Sequence, residues 1–292
     1  MSNLKRRVSE PEINSEKIEA QERLSESEQE LNDAIAEDME KDEDKVYDLL
    51  AGFPDPEDPE IIHTTFTLRE MTGKDEEAMQ KPDVRGNMAK AITTLLARCV
   101  TSIGTLTPKD FGGINEWKNK VIGKLLIGDQ DYILYKLRVL SYGNEFTVKH
   151  VCPNPDCKAN LTTVIEGEDF EIIPFDGNRK IPFELPKGFN SPKGYCKTGT
   201  LRLPTGEDRE KFAPIARKNP ARGTTLMLTR LCHFDNNAYL SEETIASLSV
   251  KDRSYLNDLL EEHIFGVKDK FTLTCPECGE EYLASLGDTN FL

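Results

Sequence analysis

The spacing of apolar residues predicts a chain in which helices and strands occupy separate stretches. Helical periodicity marks four stretches, which are 88–103, 113–127, 209–217 and 223–232. Asn87 stands where an N-cap residue is expected for the first of them. Residues 159–173 and 271–286 alternate between apolar and polar side chains instead, as half-buried strands do. The pattern therefore predicts the α+β class.

A narrow apolar stripe runs through the otherwise charged first fifty residues. Its members recur mostly at spacings of three, four or seven, and they are Leu24, Leu31, Ile35, Met39, Val46, Leu49 and Leu50. This spacing predicts a helix over about 20–50 that is unstable alone and docks its stripe on a partner or on the body. A disordered acidic arm is the alternative for residues 1–20. Prolines at 54, 56 and 59 break any helix, so residues 53–60 are predicted to be a linker.

The rest of the chain contains an internal sequence repeat. The segment TLREMTGKDEE at 67–77 reads again as TLRLPTGEDRE at 200–210. Each copy looks like a strand that ends at Thr-Gly and enters an acid-rich helix. The threonine is expected to be the N-cap, and the acids suit the positive end of the helix dipole.

A second match lies further along, without gaps and at an offset of 123 residues. It aligns Asp129 with Asp252, Tyr132 with Tyr255, Ile133 with Leu256, Leu137 with Leu260, Tyr142 with Phe265, Gly143 with Gly266, Val148 with Phe271 and Cys152 with Cys275. In each copy the aspartate is predicted to cap a helix of about 14 residues that stops at the glycine. Two matches in the same order, both closed by a cysteine pair, predict an internal duplication.

Four parts follow from these patterns. The first is an acidic arm, 1–60, which contains the docking helix and the proline-rich linker. The others are a first repeat lobe at 61–173, a connector at 174–198 rich in Pro, Gly, Lys and Asn, and a second repeat lobe at 199–292. Each lobe is expected to run strand, helices, strand and cysteine pair.

Charge and composition locate the acidity and narrow the compartment. Residues 1–60 carry a net charge of −13, whereas residues 61–292 carry −2. Lys5, Arg6 and Arg7 are not followed by an apolar core, so no secretory signal is expected, and no apolar run of about 18 residues predicts a membrane span. Seven cysteines, four of them in close pairs, favour a reducing cytosol over a disulfide framework.

The paired cysteines predict one structural zinc site. Cys152 and Cys157 form a Cys-x4-Cys turn, and Cys275 and Cys278 form a Cys-x2-Cys turn followed by Gly279. Two thiolates on a tight turn between antiparallel strands hold one edge of a tetrahedral site, so two turns complete it with no open position. The trailing glycine permits the positive φ that turns backbone amides toward the sulfurs.

Other interpretations of the cysteines and their neighbours stay open at this point. Cys275 and Cys278 can be a redox pair, although no βαβ pattern precedes them, and two independent buried pairs are also possible. His150 can replace a ligand, but its place on a strand favours a satisfied neighbour. Three further cysteines, Cys99, Cys196 and Cys232, have no close partners and are expected to be core or semi-buried thiols.

No catalytic constellation emerges from the sequence. Cys232 and His233 are adjacent on a predicted helix and point about 100° apart, so they cannot act as nucleophile and base. Gly73-Lys74 lacks the upstream glycine of a phosphate loop. Two small basic clusters are the candidates for nucleic-acid contact, and they are Lys118, Lys120 and Lys124 beside Trp117, and Arg217, Lys218 and Arg222. A solvated helix face is the favoured interpretation, because the body is nearly neutral.

The motifs resemble those of a known family. LREMTGKDE at 68–76, Gly128-Asp129, and a helix ending at Tyr142-Gly143 before Cys152 resemble a baseplate hub or hub-assembly protein of contractile-tailed, T-even-like bacteriophages. The resemblance covers most of 61–165 and recurs weakly in 200–286. It implies a non-enzymatic structural or assembly role, other tail and baseplate proteins as partners, and a place in the virion tail after assembly in the host cytoplasm. A zinc-ribbon nucleic-acid-binding or transcription-associated factor, and a chaperone absent from the mature virion, are the alternatives.

Overall fold

The computed structural model describes residues 45–285 except for 83, 192, 236–240 and 269. In these residues the chain mixes helices and strands as predicted, and none of the helices has the length and apolar character needed to cross a membrane. The part of the predicted helix over about 20–50 that precedes residue 45, with Leu24, Leu31, Ile35 and Met39, lies outside the described residues.

The first half of the body, residues 45–166, begins with two strands and ends with a hairpin. Its strands are β1 (Lys45–Pro54), β2 (Ile62–Leu68), β3 (Val100–Ile103), β4 (Glu145–Val151) and β5 (Asn160–Glu166). Its helices are α1 (Gly73–Met79), α2 (Met88–Cys99), α3 (Ile114–Lys120) and α4 (Ile127–Tyr142). Short 3-10 turns lie at Pro108–Phe111, at Ile122–Lys124 and, after β5, at Gly167–Asp169.

The second half of the body, residues 180–285, presents its elements in a matching order. Strand β6 (Ile172–Ile173) lies between the halves. The strands that follow are β7 (Lys180–Ser191), β8 (Gly194–Arg202), β9 (Cys232–Phe234), β10 (Gly266–Val267), β11 (Lys270–Thr274) and β12 (Glu281–Ser285). The helices are α5 (Gly206–Ala216), α6 (Pro220–Leu231), α7 (Glu242–Ser247) and α8 (Val250–Glu262).

Each half has an antiparallel three-stranded sheet and a separate cysteine-bearing hairpin. The sheets have the orders β1-β2-β3 and β7-β8-β9, and the hairpins are β4-β5 and β11-β12. The first strand of each sheet carries a bulge that ends at a glycine with positive φ, 74° at Gly52 and 70° at Gly188. A glycine is required there because a side chain at positive φ is strained and would also press on the neighbouring strand.

Three apolar cores hold these elements together. The core of the first half is centred on Phe66, Leu95, Leu96, Trp117, Ile133 and Leu137. The core of the second half is centred on Leu201, Leu228, Phe234, Ile245 and Leu256. A third, smaller core of Tyr135, Phe146, Val148 and Phe170 lies beneath the first hairpin, and Phe271 of the second hairpin packs against it. Because Phe271 reaches this core, the two hairpins share apolar contacts as well as cysteines.

A capping box starts the first acidic helix of each half, as the repeat predicts. The carboxylate of Asp75 accepts hydrogen bonds from the N–H and the hydroxyl of Thr72, both at 2.9 Å. Asp208 binds Thr205 in the same way at 3.0 Å. The prediction of threonine N-caps is therefore confirmed.

The aspartate near the start of the last long helix ties that helix to the bulged strand. Asp129 Oδ1 accepts hydrogen bonds from the amides of Leu50 and Ala51, at 2.8 and 3.1 Å. Asp252 Oδ1 accepts one, from Lys187 at 2.7 Å, since proline precedes that lysine. The helices start at residues 127 and 250, so these aspartates stand in the first turn, and the expectation that they are the N-caps is wrong.

The segment before residue 61 differs from its prediction. Residues 45–54 form strand β1, so the helix over about 20–50 does not extend past residue 44, and the body starts at least sixteen residues earlier than expected. Val46 is 66% exposed, while Leu49 is buried in the first core and Leu50 packs against the second. Pairing with β2 overrides the helical spacing, because a strand places Leu49 and Leu50 on opposite faces.

The predicted connector is also largely a sheet. Residues 180–191 and 194–202 form β7 and β8. Ile181, Phe183 and Leu185 alternate with exposed residues and enter the second core, which is the period-two pattern of a half-buried strand. The prolines within β7 are tolerated because this strand lies at the edge of its sheet.

Helix boundaries shift where β-branched residues or glycines intervene. The helix capped by Asn87 ends at Cys99, and Val100–Ile103 pair with β2 instead of continuing it. The helix predicted at 113–127 stops at Lys120, followed by a 3-10 turn. Gly143 caps α4 with a φ of 87° as predicted, whereas α8 ends at Glu262, before Gly266.

Candidate metal centre

The four paired cysteines lie at the tips of the two hairpins. Cys152 follows β4 and Cys157 precedes β5, while Cys275 follows β11 and Cys278 precedes β12. Their sulfurs all lie within 4.8 Å of one another. The turns that the sequence predicted on separate copies thus meet in one cluster. Among the residues that the structure describes, this is the group of Cys, His, Asp and Glu side chains able to hold a metal ion.

Two close sulfur–sulfur contacts cross from one hairpin to the other. Cys152 Sγ lies 3.7 Å from Cys278 Sγ, and Cys157 Sγ lies 3.9 Å from Cys275 Sγ. A tetrahedron with Zn–S bonds of about 2.3 Å has sulfurs about 3.8 Å apart. A disulfide needs a bond of about 2.05 Å, so the described arrangement is that of free thiols around a central point.

Backbone turns on both hairpins set this geometry. The N–H of Cys152 donates to the carbonyl of Ala159 at 2.9 Å, and that of Cys275 donates to the carbonyl of Glu280 at 2.8 Å. After the second cysteine of each pair the backbone has positive φ, 73° at Gly279 and 49° at Lys158. Gly279 therefore has the conformation expected from the sequence, and Lys158 adopts it in spite of its side chain.

The four cysteine sulfurs differ in burial and in their contacts with backbone amides, and these differences shift the thiol pKa values. Cys152 and Cys275 are buried, and Cys278 is exposed. Burial raises the pKa of the Cys152 thiol to about 12. Burial also opposes ionisation of Cys275, but the backbone amides of Glu277 and Cys278 outweigh it and lower the pKa of that thiol to about 7. A divalent cation binds thiolates, so its binding would displace the protons that the cluster holds at neutral pH.

His150 stands beside the cluster without belonging to it. Its ring is centred 5.7 Å from the ring of Tyr282 on the other hairpin. Its Nδ1 and the Tyr282 hydroxyl are buried and make no hydrogen bond within the described residues. The expectation of a hydrogen-bonded neighbour is therefore wrong for this nitrogen, and the ring contributes contact between the hairpins instead.

The three remaining cysteines are buried and stand apart from the cluster. Cys99, Cys196 and Cys232 are all buried free thiols, as expected of core residues. Burial raises the pKa of Cys99 and of Cys232 to about 12, so both stay protonated at neutral pH.

Two lysines of the first basic cluster form ion pairs within the chain. Lys124 pairs with Glu207, and Lys120 pairs with Glu116.

A pair of buried ion clusters went unrecognised in the sequence. Asp75 lies between two arginines, with Arg69 Nη1 at 2.8 Å and Arg98 Nε at 2.8 Å. Asp208 lies in the same way between Arg202 at 2.6 Å and Arg230 at 2.7 Å. Burial would raise the pKa of both aspartates, but the arginine contacts outweigh it and hold the pKa values well below the usual range. The signal was the Arg and Asp shared by the two TLR…TG motifs.

The fold and the cluster together define a class of protein. It is an α+β body in which two hairpins bring four cysteines together at a site able to hold a metal ion. The family model described as T4 bacteriophage base plate protein matches residues 58–289, which include the cluster and most of both halves. The chain belongs to this family. Neither the curated proteins nor the solved structures give a match.

Proposed function

We propose that this chain is a non-enzymatic structural or assembly component of the phage tail baseplate, placed in its central hub, with one structural zinc ion. The observation that carries the proposal is the family match over residues 58–289, which extends across both halves of the body. The resemblance of LREMTGKDE at 68–76 to hub proteins supports the hub in particular. Other tail proteins are then the partners, and the virion tail is the location.

The buried acids support a role without catalysis. Asp75 and Asp208 are each bound by two arginines, Asp252 by the Lys187 amide and Ser249, and Asp129 by two strand amides. Each of these carboxylates therefore serves the fold, and we assign none of them a reaction. The arginine contacts of Asp75 and Asp208 hold the pKa of each carboxyl well below its usual range, so these two groups stay ionised and are poor proton carriers near neutral pH.

Zinc is the metal we propose for the cluster. Four thiolates with separations near those of a tetrahedron are the donor set of structural zinc sites, and the set leaves no position for water. Cys152 and Cys157 would hold the ion from the first half, and Cys275 and Cys278 from the second. Bound there, zinc would cross-link the halves and supply stability, not chemistry.

We also propose that the two halves arose by duplication of one unit. The matching element order, the paired capping boxes, the paired arginine clusters and the paired bulges support it. Under this proposal a single unit had only two of the four metal ligands. Duplication brought two half-sites together, and the metal site belongs to the pair.

Mass spectrometry of purified virions tests the structural role. We expect peptides of this chain in intact, salt-washed particles at a fixed ratio to other tail proteins. Peptides found in infected-cell lysates but missing from particles would overturn the subunit role and favour a chaperone. Salt-sensitive binding of a DNA duplex by the purified chain, without association with tail proteins, would favour the nucleic-acid-binding alternative.

Metal analysis of the chain purified without added metal tests the zinc proposal. We expect one zinc per chain and retention after gel filtration. Cys152→Ser and Cys278→Ser remove a buried and an exposed ligand, and both should lose the ion, whereas Cys196→Ser should keep it. A wild-type chain that folds with no metal, or that carries iron, would contradict the assignment.

A further inference from the structure

The two halves of the body meet through unlike surfaces, which we call the inner junction. Residues 125–128, at the start of α4, run antiparallel to residues 203–206, at the turn into α5. The N–H of Ile127 donates to the carbonyl of Pro204, and the N–H of Gly206 donates to the carbonyl of Leu125, both at 3.0 Å. Leu126 is paired with Thr205 and is buried in the second core. The contact is therefore head to tail.

Each half also has a copy of the surface that the other half uses, and in the described part of the chain these two copies are not paired with each other. The repeat offset of 123 carries residues 125–128 to 248–251, at the start of α8, which we call the free helix start. The offset of 133 carries residues 203–206 to 70–73, which we call the free turn. Val250 is 84% exposed, and Gly73 has open space where a side chain would stand.

If the free helix start and the free turn met in the residue pairing of the inner junction, chemically matched residues would face each other. This pairing sets Ser249 opposite Thr72, Val250 opposite Met71, and Lys251 opposite Glu70. These are two hydroxyls, two apolar side chains and an ion pair. Within the described residues, the N–H of Val250 and the carbonyl of Met71 make no hydrogen bond, and they occupy the places of the Ile127–Pro204 bond.

We propose that a second copy of this chain docks its free turn onto the free helix start, repeating the inner junction between chains. Further charges support this occupant. Glu76 and Glu77 are exposed and follow the free turn. In the inner junction the start of α2 contacts α5, since Asn87 donates to the carbonyl of Glu210. The start of α6 is the counterpart of the start of α2, and the exposed Arg217, Lys218 and Arg222 lie there. The complementary ends of one chain thus fit two identical neighbours.

The contact between copies is looser than the inner junction. At Gly128 a side-chain carbon would stand 2.5 Å from the carbonyl oxygen of Phe265, and Lys251 stands at the equivalent place, so a docked copy sits farther away. Ser249 and Glu70 also replace the buried Leu126 and Leu203. The pairing rests on charge instead of an apolar anchor, and salt should weaken it.

Sedimentation velocity of the purified full chain tests the proposal. At about 0.01 M salt, where charges interact over roughly 30 Å, we expect concentration-dependent self-association. At about 1 M salt, where the range is roughly 3 Å, we expect a monomer. A chain that is monomeric at low salt up to its solubility limit would overturn the proposal.

Charge reversal identifies the surfaces. Lys251→Glu and Glu70→Lys should each weaken self-association roughly tenfold or more, because like charges then face each other. An equimolar mixture of the two variants should associate again, since every contact between unlike chains joins opposite charges. Lys149→Glu, an exposed change on β4, is the matched control and should have no effect.

Single reversals that leave association unchanged, or a mixture that stays monomeric, would refute the assigned surfaces. Unchanged melting temperatures confirm that the variants fold. Either failure leaves the metal and virion tests unaffected, because those depend on other residues.

Discussion

Replacing Cys275 with serine removes a buried ligand from the proposed zinc site, and we expect the body to lose about 4–5 kcal/mol of unfolding free energy. Cys157 and Cys275, whose sulfurs lie 3.9 Å apart, are separated by 118 residues in the chain. A cross-link that closes a loop of this size restricts the unfolded chain by roughly 4.7 kcal/mol. For a metal present at about a thousand times its dissociation constant, binding stabilises the folded state by about 4.1 kcal/mol, which sets the lower end of the expected range.

The loss should not unfold the body entirely. Phe146, Phe170 and Phe271 connect the hairpins through the third core, with ring centroids 4.9 Å apart for the first pair and 6.4 Å for the second. We expect these contacts to persist without metal. At roughly 2–4 °C per kcal/mol for a body of this size, we expect the melting temperature to fall by roughly 10–15 °C.

Thermal unfolding followed by circular dichroism measures this effect, with and without a strong chelator. The wild-type chain should lose its extra stability on chelation, and Cys275→Ser should melt at the lower temperature in both conditions. Cys196→Ser changes a buried thiol outside the cluster and should still respond to the chelator. A Cys275→Ser midpoint close to that of the wild type, or an equal response of both chains to chelation, would refute the cross-link reasoning.

Three further changes test other parts of the fold. Asp75→Asn leaves two arginines without their buried carboxylate and should cost about 3–5 kcal/mol in chemical denaturation; a loss below about 1 kcal/mol would contradict it. Burial raises the pKa of Asp129 to about 6, above its unfolded value, so its contribution to stability is present at low pH and is lost as pH rises through 6. Relative to Asp129→Asn, the wild type should lose on the order of 3 kcal/mol between pH 4 and 7, and parallel pH profiles would exclude this. Gly279→Ala places a side chain at positive φ and should cost about 1 kcal/mol, while Lys158→Gly should be neutral or stabilising.

The cysteine cluster could be predicted from the sequence because its signals are local. Cys-x4-Cys and Cys-x2-Cys each specify a turn, and the repeat implies that the two turns meet. The threonine caps were equally local, since Thr72 and Thr205 bind acids three residues ahead. Two helix ends show the limit of such local signals. Gly143 marked the end of α4 in the sequence, whereas α2 ends at Cys99 because the residues that follow pair with β2, which no local signal revealed.

Long-range pairing decided what the sequence did not reveal. The spacing of Leu49 and Leu50 fits a helix and a strand equally over so short a run, and contact with β2 and two cores selects the strand. The proline-rich stretch around Pro182 reads as a loop until a neighbouring strand supplies the other side of the sheet. The partners of Asp75 come from residues 6 and 23 positions away, and only the fold brings the second one close.

The unequal ends of the two last helices explain the behaviour of Asp129. In the second half Ser249 donates its hydroxyl to Asp252 Oδ2 at 2.8 Å. In the first half Leu126 stands in that position, and Asp129 Oδ2 has no partner within the described residues. The leucine joins the second core, so the inner junction gains an apolar anchor while its neighbouring aspartate loses a hydrogen bond.

Strand β1 gives the body a definite mechanical entry point. Leu49 and Leu50 lie side by side on this strand and belong to different cores, and Arg179 and Asp129 clasp its bulge from other elements. Tension applied at Lys45 in the direction of β1 would load the ladder with β2 in shear, because the hydrogen bonds between the two strands lie across the strand direction. Shear breaks many bonds together and not one at a time, so the strand should resist a pull that would peel a terminal helix away. Because Leu49 and Leu50 belong to different cores, both cores would take up that load.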